Sequence, residues 1–123
     1  MQAYQATTTL SSTGTAVLVA TPGFQGKEVE IKAGPINGGG SSVSRYSLGW
    51  GDGTRQSCDW GFADGTLFGG DKVTNKVVSV WANVGGTLTE VVSASNPTFT
   101  ATQFKLDVAT IDTNYKISVK ITG

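Results

Sequence analysis

Four aspartates between positions 52 and 71 are the residues of this sequence best placed for chemistry. They are Asp52, Asp59, Asp64 and Asp71. With Trp50 and Trp60 close by, two of these carboxylates could serve glycoside hydrolysis, which needs only a carboxylate pair. Carboxylates also bind calcium, so the loops around Asp52, Asp64 and Asp71 are a weak candidate calcium site. Two of the four stand in Asp-Gly pairs, however, where turn formation already accounts for aspartate.

Most other catalytic and metal-binding chemistry lacks its usual residues. The chain has no His and one Cys, which excludes His-based triads and zinc sites built from Cys and His. Only Arg55 stands near Cys58 as a basic residue, so we expect this cysteine to be packed in a strand rather than reactive. We therefore expect no enzyme, with no catalytic, cofactor-binding or metal-binding residue.

Net charge and hydropathy limit the partners. Nine basic and nine acidic residues cancel, so the chain lacks the positive potential that drives binding to nucleic acid or to anionic membranes. No apolar run is long enough to cross a bilayer, and residues 1–10 do not have the pattern of a signal peptide. We expect neither nucleic acid nor membrane among the partners.

The elements that position these residues are β-strands. Apolar and polar residues alternate with period two, most clearly in 27–34 and 115–122, and Asp-Gly and Gly-Gly pairs mark hairpin turns between the runs. We predict an all-β chain: a single-domain antiparallel β-sandwich or jelly roll of eight to nine strands over residues 1–123, without a long helix. The strands are predicted at 3–9, 15–20, 27–34, 43–51, 55–62, 76–83, 87–95, 98–109 and 115–122.

Strand alternation also predicts which side chains face the core. Trp50 shares its face with Tyr46 and Leu48, and we expect that face to be buried. Aromatic residues that the core does not need are expected at a contact surface. The interface residues predicted on this basis are Trp81, Phe68, Phe99 and Tyr4. The two longer segments between predicted strands, 35–42 and 63–75, are expected to be loops that can carry function.

Several short motifs resemble small β-rich virion proteins of tailed phages. Segment 23–31, GFQGKEVEI, is similar to their opening GFxPKxVxF, with Gly26 in place of the proline. Segment 47–57, SLGWGDGTRQS, resembles their G-x-x-D-G-x-x-Q-S hairpin, and segments 104–108 and 112–123 resemble their closing pair of strands. In order and spacing the resemblance covers most of the chain. It implies a non-enzymatic structural component of a virion.

Within that class, the small size and neutral charge favour a capsid decoration (cement) protein. The resemblance implies a homotrimer on the capsid surface of the virion, bound to the major capsid protein after synthesis in the cytoplasm of the bacterial host. A protein that binds only the assembled shell stabilises it by mass action. We expect segment 1–9 to be a capsid-contacting N-terminal arm that orders only on the shell, adding a strand to a capsid edge.

Two other functions stay open. A carbohydrate- or receptor-binding tail or fibre-tip module would need exposed aromatics and polar groups that converge in one pocket, formed by the 35–42 and 63–75 segments. A coat protein of a small RNA phage would fit the length. It would also be expected to end in helices and to carry a basic inner face, whereas this chain is neutral and its end is predicted to be a strand.

Overall fold

The computed structural model describes residues 1–36 and 44–123, and these residues form ten strands and no helix. The strands are β1 (Ala3–Thr8), β2 (Gly14–Ala20), β3 (Glu28–Pro35), β4 (Ser44–Gly51), β5 (Gln56–Ala63), β6 (Phe68–Val73), β7 (Val78–Val84), β8 (Thr87–Phe99), β9 (Phe104–Thr110) and β10 (Tyr115–Thr122). Within the described ranges, nothing helical is present that could span a membrane.

The strands form two antiparallel sheets. The six-stranded sheet has the order β1-β10-β3-β4-β5-β6, and the four-stranded sheet has the order β2-β9-β8-β7. The predicted all-β class is confirmed. The strand count is ten, however, rather than the eight or nine predicted.

The additional strand is β6, which lies inside the segment 63–75 that was predicted to be a loop. It pairs with β5 from Ala63 opposite Phe68 to Cys58 opposite Val73. The segment is therefore a hairpin with a short turn. No alternating pattern is visible here because Gly69 and Gly70 lack the side chains that would show it. Most of the other predicted loop, 35–42, lies outside the described residues.

A second difference concerns β8, which continues through the Asn96-Pro97 pair where the prediction placed a break. Asn96 has a positive φ of 54°, and the pairing with β9 shifts register between Ser95 and Thr98. Such a bulge lets a strand accommodate a proline that has no N–H to give to the ladder. The predicted turn between strands 87–95 and 98–109 is therefore a bulge within β8, and the turn that separates β8 from β9 lies at 100–103.

One apolar core lies between the two sheets. Its largest fully buried side chains are Phe104, Ile31, Leu106, Ile117, Ile121, Val29, Val77, Val78, Val80 and Val119. In β3 and β10 the charged residues mark the solvent side, so every second residue is buried as predicted. Each buried aliphatic or aromatic side chain contributes roughly 1.5–3 kcal/mol to stability. A smaller cluster of Trp60, Phe62 and Ala82 adjoins this core.

The two sheets come unusually close where β7 meets β4. The Ser79 N–H donates a hydrogen bond to Ser47 Oγ at 3.0 Å, and a Cβ atom placed on Gly49 would lie 1.8 Å from the Val77 carbonyl oxygen. At this point the backbone at Val77, just before β7, packs directly on the backbone of β4. Next to this contact the inward side of β4 therefore holds only small residues, which are Ser47, Gly49 and Gly51. Arg45, nearer the start of the strand, also lies on the inward side and contacts Phe62 and Tyr115.

This contact overturns the predicted orientation of β4. Tyr46 and Leu48 were expected in the core but are 44% and 48% exposed, and Trp50 is half-buried on the same outward side. The period of two was right, but the buried side was wrong. Because the space against β7 admits no large side chain, the three large apolar residues of β4 face away from it.

A polar network lies beside this contact. Lys76 Nζ donates to both carboxylate oxygens of Glu90 at 2.8 and 2.9 Å. The Ser79 hydroxyl donates to Glu90 and accepts a hydrogen bond from Trp81 Nε1 at 2.8 Å. Because these donors pair with the half-buried carboxylate of Glu90, its partial burial is tolerated.

Cys58 is only 2% exposed, so its predicted place as a packed strand residue is confirmed. Burial raises the pKa of its thiol to about 11, although the hydrogen bond with Ser47 and the charge of Lys76 act in the opposite direction. A thiol with such a pKa is almost fully protonated at neutral pH and is a poor nucleophile.

The N-terminal segment is part of the fold. β1 pairs with β10 over six residue pairs, and Tyr4 and Ala6 pack against the core. The expectation that segment 1–9 orders only on a capsid is therefore wrong, because its backbone and its inward side chains already have partners within the chain. Its contact with a capsid remains a prediction.

The contact between β4 and β7 can be tested by adding one methyl group. We expect Gly49→Ala to lower the free energy of unfolding by about 3 kcal/mol or more, since overpacking against backbone cannot be relieved by a side-chain rotation. Gly34→Ala is the matched control, because a Cβ atom there meets nothing closer than the Arg45 carbonyl oxygen at 3.7 Å. Urea unfolding of both variants measures the difference. Equal stability of the two variants would contradict the close contact.

Candidate functional site

The outer face of the six-stranded sheet is the surface that best fits a binding function. Residues directly opposite each other in antiparallel strands point to the same side, so the register gives the rows of side chains that cross this face. One row contains Thr7, Ser118, Lys32, Leu48, Asp59 and Lys72. A second row contains Gln5, Lys120, Glu30, Trp50 and Ser57. Both rows have a large apolar residue from β4, with charged residues beside it.

The centre of the outer face is an apolar stripe formed by Tyr46, Leu48 and Trp50 along β4. Phe68, which is 84% exposed, extends this apolar surface at the β6 edge. The Tyr46 ring covers Gly61, since a Cβ atom at Gly61 would lie 2.3 Å from Tyr46 Cε1. The ring therefore lies along the sheet. A row of large apolar side chains left in solvent marks a contact site.

Trp50 is held in place by polar neighbours. Its Nε1 donates a hydrogen bond to Glu28 Oε2 at 3.1 Å, and the Arg55 guanidinium carbon lies 5.6 Å from its ring centroid. Arg55 is in turn paired with Asp52 at 3.0 Å. These contacts orient the indole ring before any partner binds, which reduces the entropy lost on binding.

Asp52 organises the β4–β5 turn that carries Arg55. The backbone N–H groups of Arg55 and Thr54, followed by the Arg55 side chain, lower the pKa of Asp52 to about 2. Asp64 does the same in the β5–β6 turn, where N–H groups of Leu67 and Thr66 and the Asn83 amide lower its pKa. Both aspartates accept hydrogen bonds from backbone N–H groups of the turn in which they lie, as the Asp-Gly pairs indicated.

The four aspartates do not come together. Asp52 and Asp64 lie beyond opposite ends of β5, Asp59 is on the outer face opposite Lys72, and Asp71 accepts a hydrogen bond from the Lys72 N–H. Among the residues that the structure describes, no three acidic or Cys side chains are grouped to hold a metal ion. The calcium candidate at the Asp52, Asp64 and Asp71 loops stays a hypothesis.

The four predicted interface aromatics lie in four different places. Trp81 is half-buried and stacks on Trp60 between the sheets, with ring centroids 4.6 Å apart, and its role at an interface stays a prediction. Phe99 packs on Phe104 at 5.3 Å. Tyr4 is half-buried on the inward side of β1. Of the four, only Phe68 belongs to the outer face.

Sequence reasoning missed Tyr46 and Leu48 as surface residues. The signal that could have identified them is the alternation of Ser47, Gly49 and Gly51 with the large residues of β4. A run in which every second residue is very small indicates that another backbone approaches on that side. The large residues then have to occupy the opposite, outward side.

A groove of about 500 Å³ on the outer face passes over β1, β10 and β3 beside the apolar stripe. Its lining is polar and includes Gln5, Glu30, Lys32 and Lys120. The face thus has an apolar half on β4 and a polar, shallow half next to it.

Comparisons of this chain with protein-family models, with curated proteins and with solved structures find no match. The resemblance to phage virion proteins therefore depends on the short motifs alone. In the structure these motifs correspond to the entry into β3, the β4–β5 hairpin and the β9 and β10 strands.

The β4–β5 turn gives a testable pH dependence. Because the folded-state pKa of Asp52 lies at about 2, below its usual value of 3.8, the contribution of this carboxylate to stability is complete above pH 4. It is lost as the pH falls through 2. Carbon-detected NMR of the side-chain carboxyl should show a titration midpoint near 2. In Arg55→Ala the midpoint should rise only in part, since the backbone donors remain. A midpoint near 3.8 in the unaltered protein would contradict this arrangement.

Proposed function

We propose that this chain is a non-enzymatic structural protein of a tailed-phage virion, a capsid decoration protein, and that it binds the major capsid protein through the outer face. The observation that carries the proposal is the apolar stripe of Tyr46, Leu48 and Trp50 on the outer face of the six-stranded sheet, where Tyr46 and Leu48 are 44% and 48% exposed. The motif resemblance supplies the class of partner.

The size of the outer face suits a folded protein as the partner. Six strands and four outward positions on a strand give a surface of roughly 24 by 20 Å. This is an area of about 480 Å². A standard protein interface covers about 800 Å² on each partner, so the face can supply more than half of one binding side. Small ligands usually need a concave pocket, whereas the apolar stripe lies on a sheet surface.

The chemistry of the face also resembles a protein interface. Such interfaces place aromatic residues at the centre and charged residues at the rim. Here Glu30 and Lys32 lie on one side of the stripe, and Asp59 and Lys72 lie on the other. Charges of both signs orient a partner without raising affinity for nucleic acid.

The finer fold assignment is part of the same proposal. The two sheets enclose one core, which supports a β-sandwich with the outer face as one of its two solvent-facing sides. A jelly roll is less well supported, because β4–β5–β6 and β7–β8–β9 each pair as a simple meander.

A specific observation favours the alternative, a carbohydrate-binding tail or fibre-tip module. Tyr46 lies flat over Gly61, and an exposed flat ring can stack on the apolar side of a sugar ring. The adjoining groove offers Gln5, Glu30 and Lys120 as hydrogen-bond partners for hydroxyl groups. In this alternative the same face binds a glycan rather than a capsid.

The proposal predicts that one charge in the stripe weakens attachment. We expect Leu48→Lys to weaken binding to heads at least about tenfold, because a buried, unpaired ammonium replaces an apolar contact. The heads are those of the phage that encodes this chain, prepared without this protein. Leu18→Lys is the matched control, since Leu18 is 52% exposed on β2 of the other sheet, and Leu48 is 48% exposed.

Co-sedimentation with heads, together with urea unfolding of both variants, distinguishes loss of contact from loss of fold. Equal weakening by both substitutions would reject the outer face as the binding side. A protein that ignores heads but binds a glycan on an array, with binding lost in Tyr46→Ala, would establish the alternative instead.

A further inference from the structure

The two sheets have four edge strands, and three of them are closed to further pairing. The edge of β7 packs on β4, where Ser47 accepts the Ser79 N–H. In β2 the ladder to β9 shifts register twice, so the strand is irregular. In β6 the side chain of Asp71 accepts the Lys72 N–H. Bulges, charges and covering segments are the devices by which proteins prevent unwanted strand addition.

The fourth edge, β1, has none of these devices. Its six residues, AYQATT, contain no charge, no proline and no glycine, and its register with β10 is uninterrupted. No described residue lies on its other side in the sheet order. An uncharged, regular edge of this kind is a template for pairing with another strand.

The direction of the free backbone groups follows from one pair of hydrogen bonds. Gln2 and Gly123 exchange both backbone bonds at 3.0 Å. Because bonded and non-bonded pairs alternate along an antiparallel ladder, Tyr4 and Ala6 also bond to β10. The N–H and C=O groups of Ala3, Gln5 and Thr7 therefore point away from the sheet, and none of them has a backbone partner among the described residues.

We propose that β1 pairs antiparallel with β1 of a second copy of this chain, around a two-fold axis at Gln5. In this register Gln5 lies opposite Gln5 of the second copy, and Ala3 lies opposite Thr7 of the second copy. Three hydrogen-bonded pairs give six inter-chain backbone bonds, which satisfy every outward group of Ala3, Gln5 and Thr7. The two six-stranded sheets become one continuous sheet.

The side chains favour a second copy as the occupant of this edge. On the inward side, Tyr4 lies opposite Ala6 of the second copy, so the half-buried ring gains cover from a residue small enough to leave room for it. On the outward side, the uncharged Gln5 side chains meet and can exchange amide hydrogen bonds.

Charge does not oppose this pairing. In the row of outward side chains that contains Gln5, the nearest ionised side chain is Lys120, opposite Gln5 on β10. Lys120 and Lys120 of the second copy would be three strand spacings apart, about 14 Å. At physiological salt the screening length is about 8 Å, so their repulsion is small.

Cysteine crosslinking tests both the pairing and its register. In Gln5→Cys the two new thiols face each other across about 5.5 Å between Cα atoms, within the range for a disulfide. In Thr7→Cys, on the same face of the same strand, they are about 14 Å apart and cannot join. The native Cys58 is buried and does not compete. We expect mild oxidation to form disulfide dimers of Gln5→Cys at a rate at least about tenfold above Thr7→Cys.

A second measurement does not depend on added cysteines. Light scattering on the free protein should show a concentration-dependent approach to the mass of two chains of 12.7 kDa. Gln5→Pro removes an N–H that points away from β10, so it should shift the mass to one chain while thermal unfolding shows an intact fold. A mass of three chains would instead support the homotrimer expected from the sequence.

Equal crosslinking of the two cysteine variants, or a mass of one chain at every concentration, would overturn the paired edge. This inference is independent of the proposed function, since neither experiment involves heads or glycans.

Discussion

The contact between the backbone at the start of β7 and Gly49 of β4 determines much of the molecule. The Val77 carbonyl oxygen lies so close that no side chain fits at position 49, and an added methyl group would meet backbone atoms that cannot move aside. The large apolar residues of β4 therefore lie on the opposite side of the sheet, and its large inward residue, Arg45, lies away from the contact, beside Phe62 and Tyr115. The same contact closes the edge of β7, because Ser47 accepts the Ser79 N–H. Core shape, edge protection and the exposed apolar stripe thus depend on a single close approach.

Sequence alternation predicted where strands form better than it predicted which side is buried. In β3 and β10 charged residues mark the solvent side, so both period and orientation were right. In β4 the orientation depends on a neighbour that is distant in sequence, and local alternation carries no information about it. For the same reason Phe68 was the only member of the outer face predicted as an interface residue. The missed strand β6 has glycines at its centre, where a pattern of side chains cannot appear.

Trp81 shows how packing between the two sheets changes the result of a correct pattern. On β7 Trp81 lies on the same side as Ser79, and this side is covered by Trp60 of the other sheet. Local alternation cannot predict that cover, since Trp60 belongs to a strand of the other sheet. The polar groups on this side are satisfied together, because Trp81 donates a hydrogen bond to Ser79 and Ser79 donates one to Glu90.

The outer face and the β1 edge belong to the same sheet, and this limits how they can act together. A two-fold axis at Gln5 that continues the sheet must be perpendicular to it, so both outer faces of a pair point to the same side. An axis within the plane of the sheet would turn them to opposite sides, and only one could meet a given surface. A pair built on the β1 edge therefore presents two apolar stripes to one surface. On a lattice with repeated binding sites, the second stripe would bind at a high effective concentration, so modest contacts at each stripe suffice for firm attachment. The same arrangement gives little advantage on an isolated soluble partner, which makes an ordered array the surface best matched to this geometry.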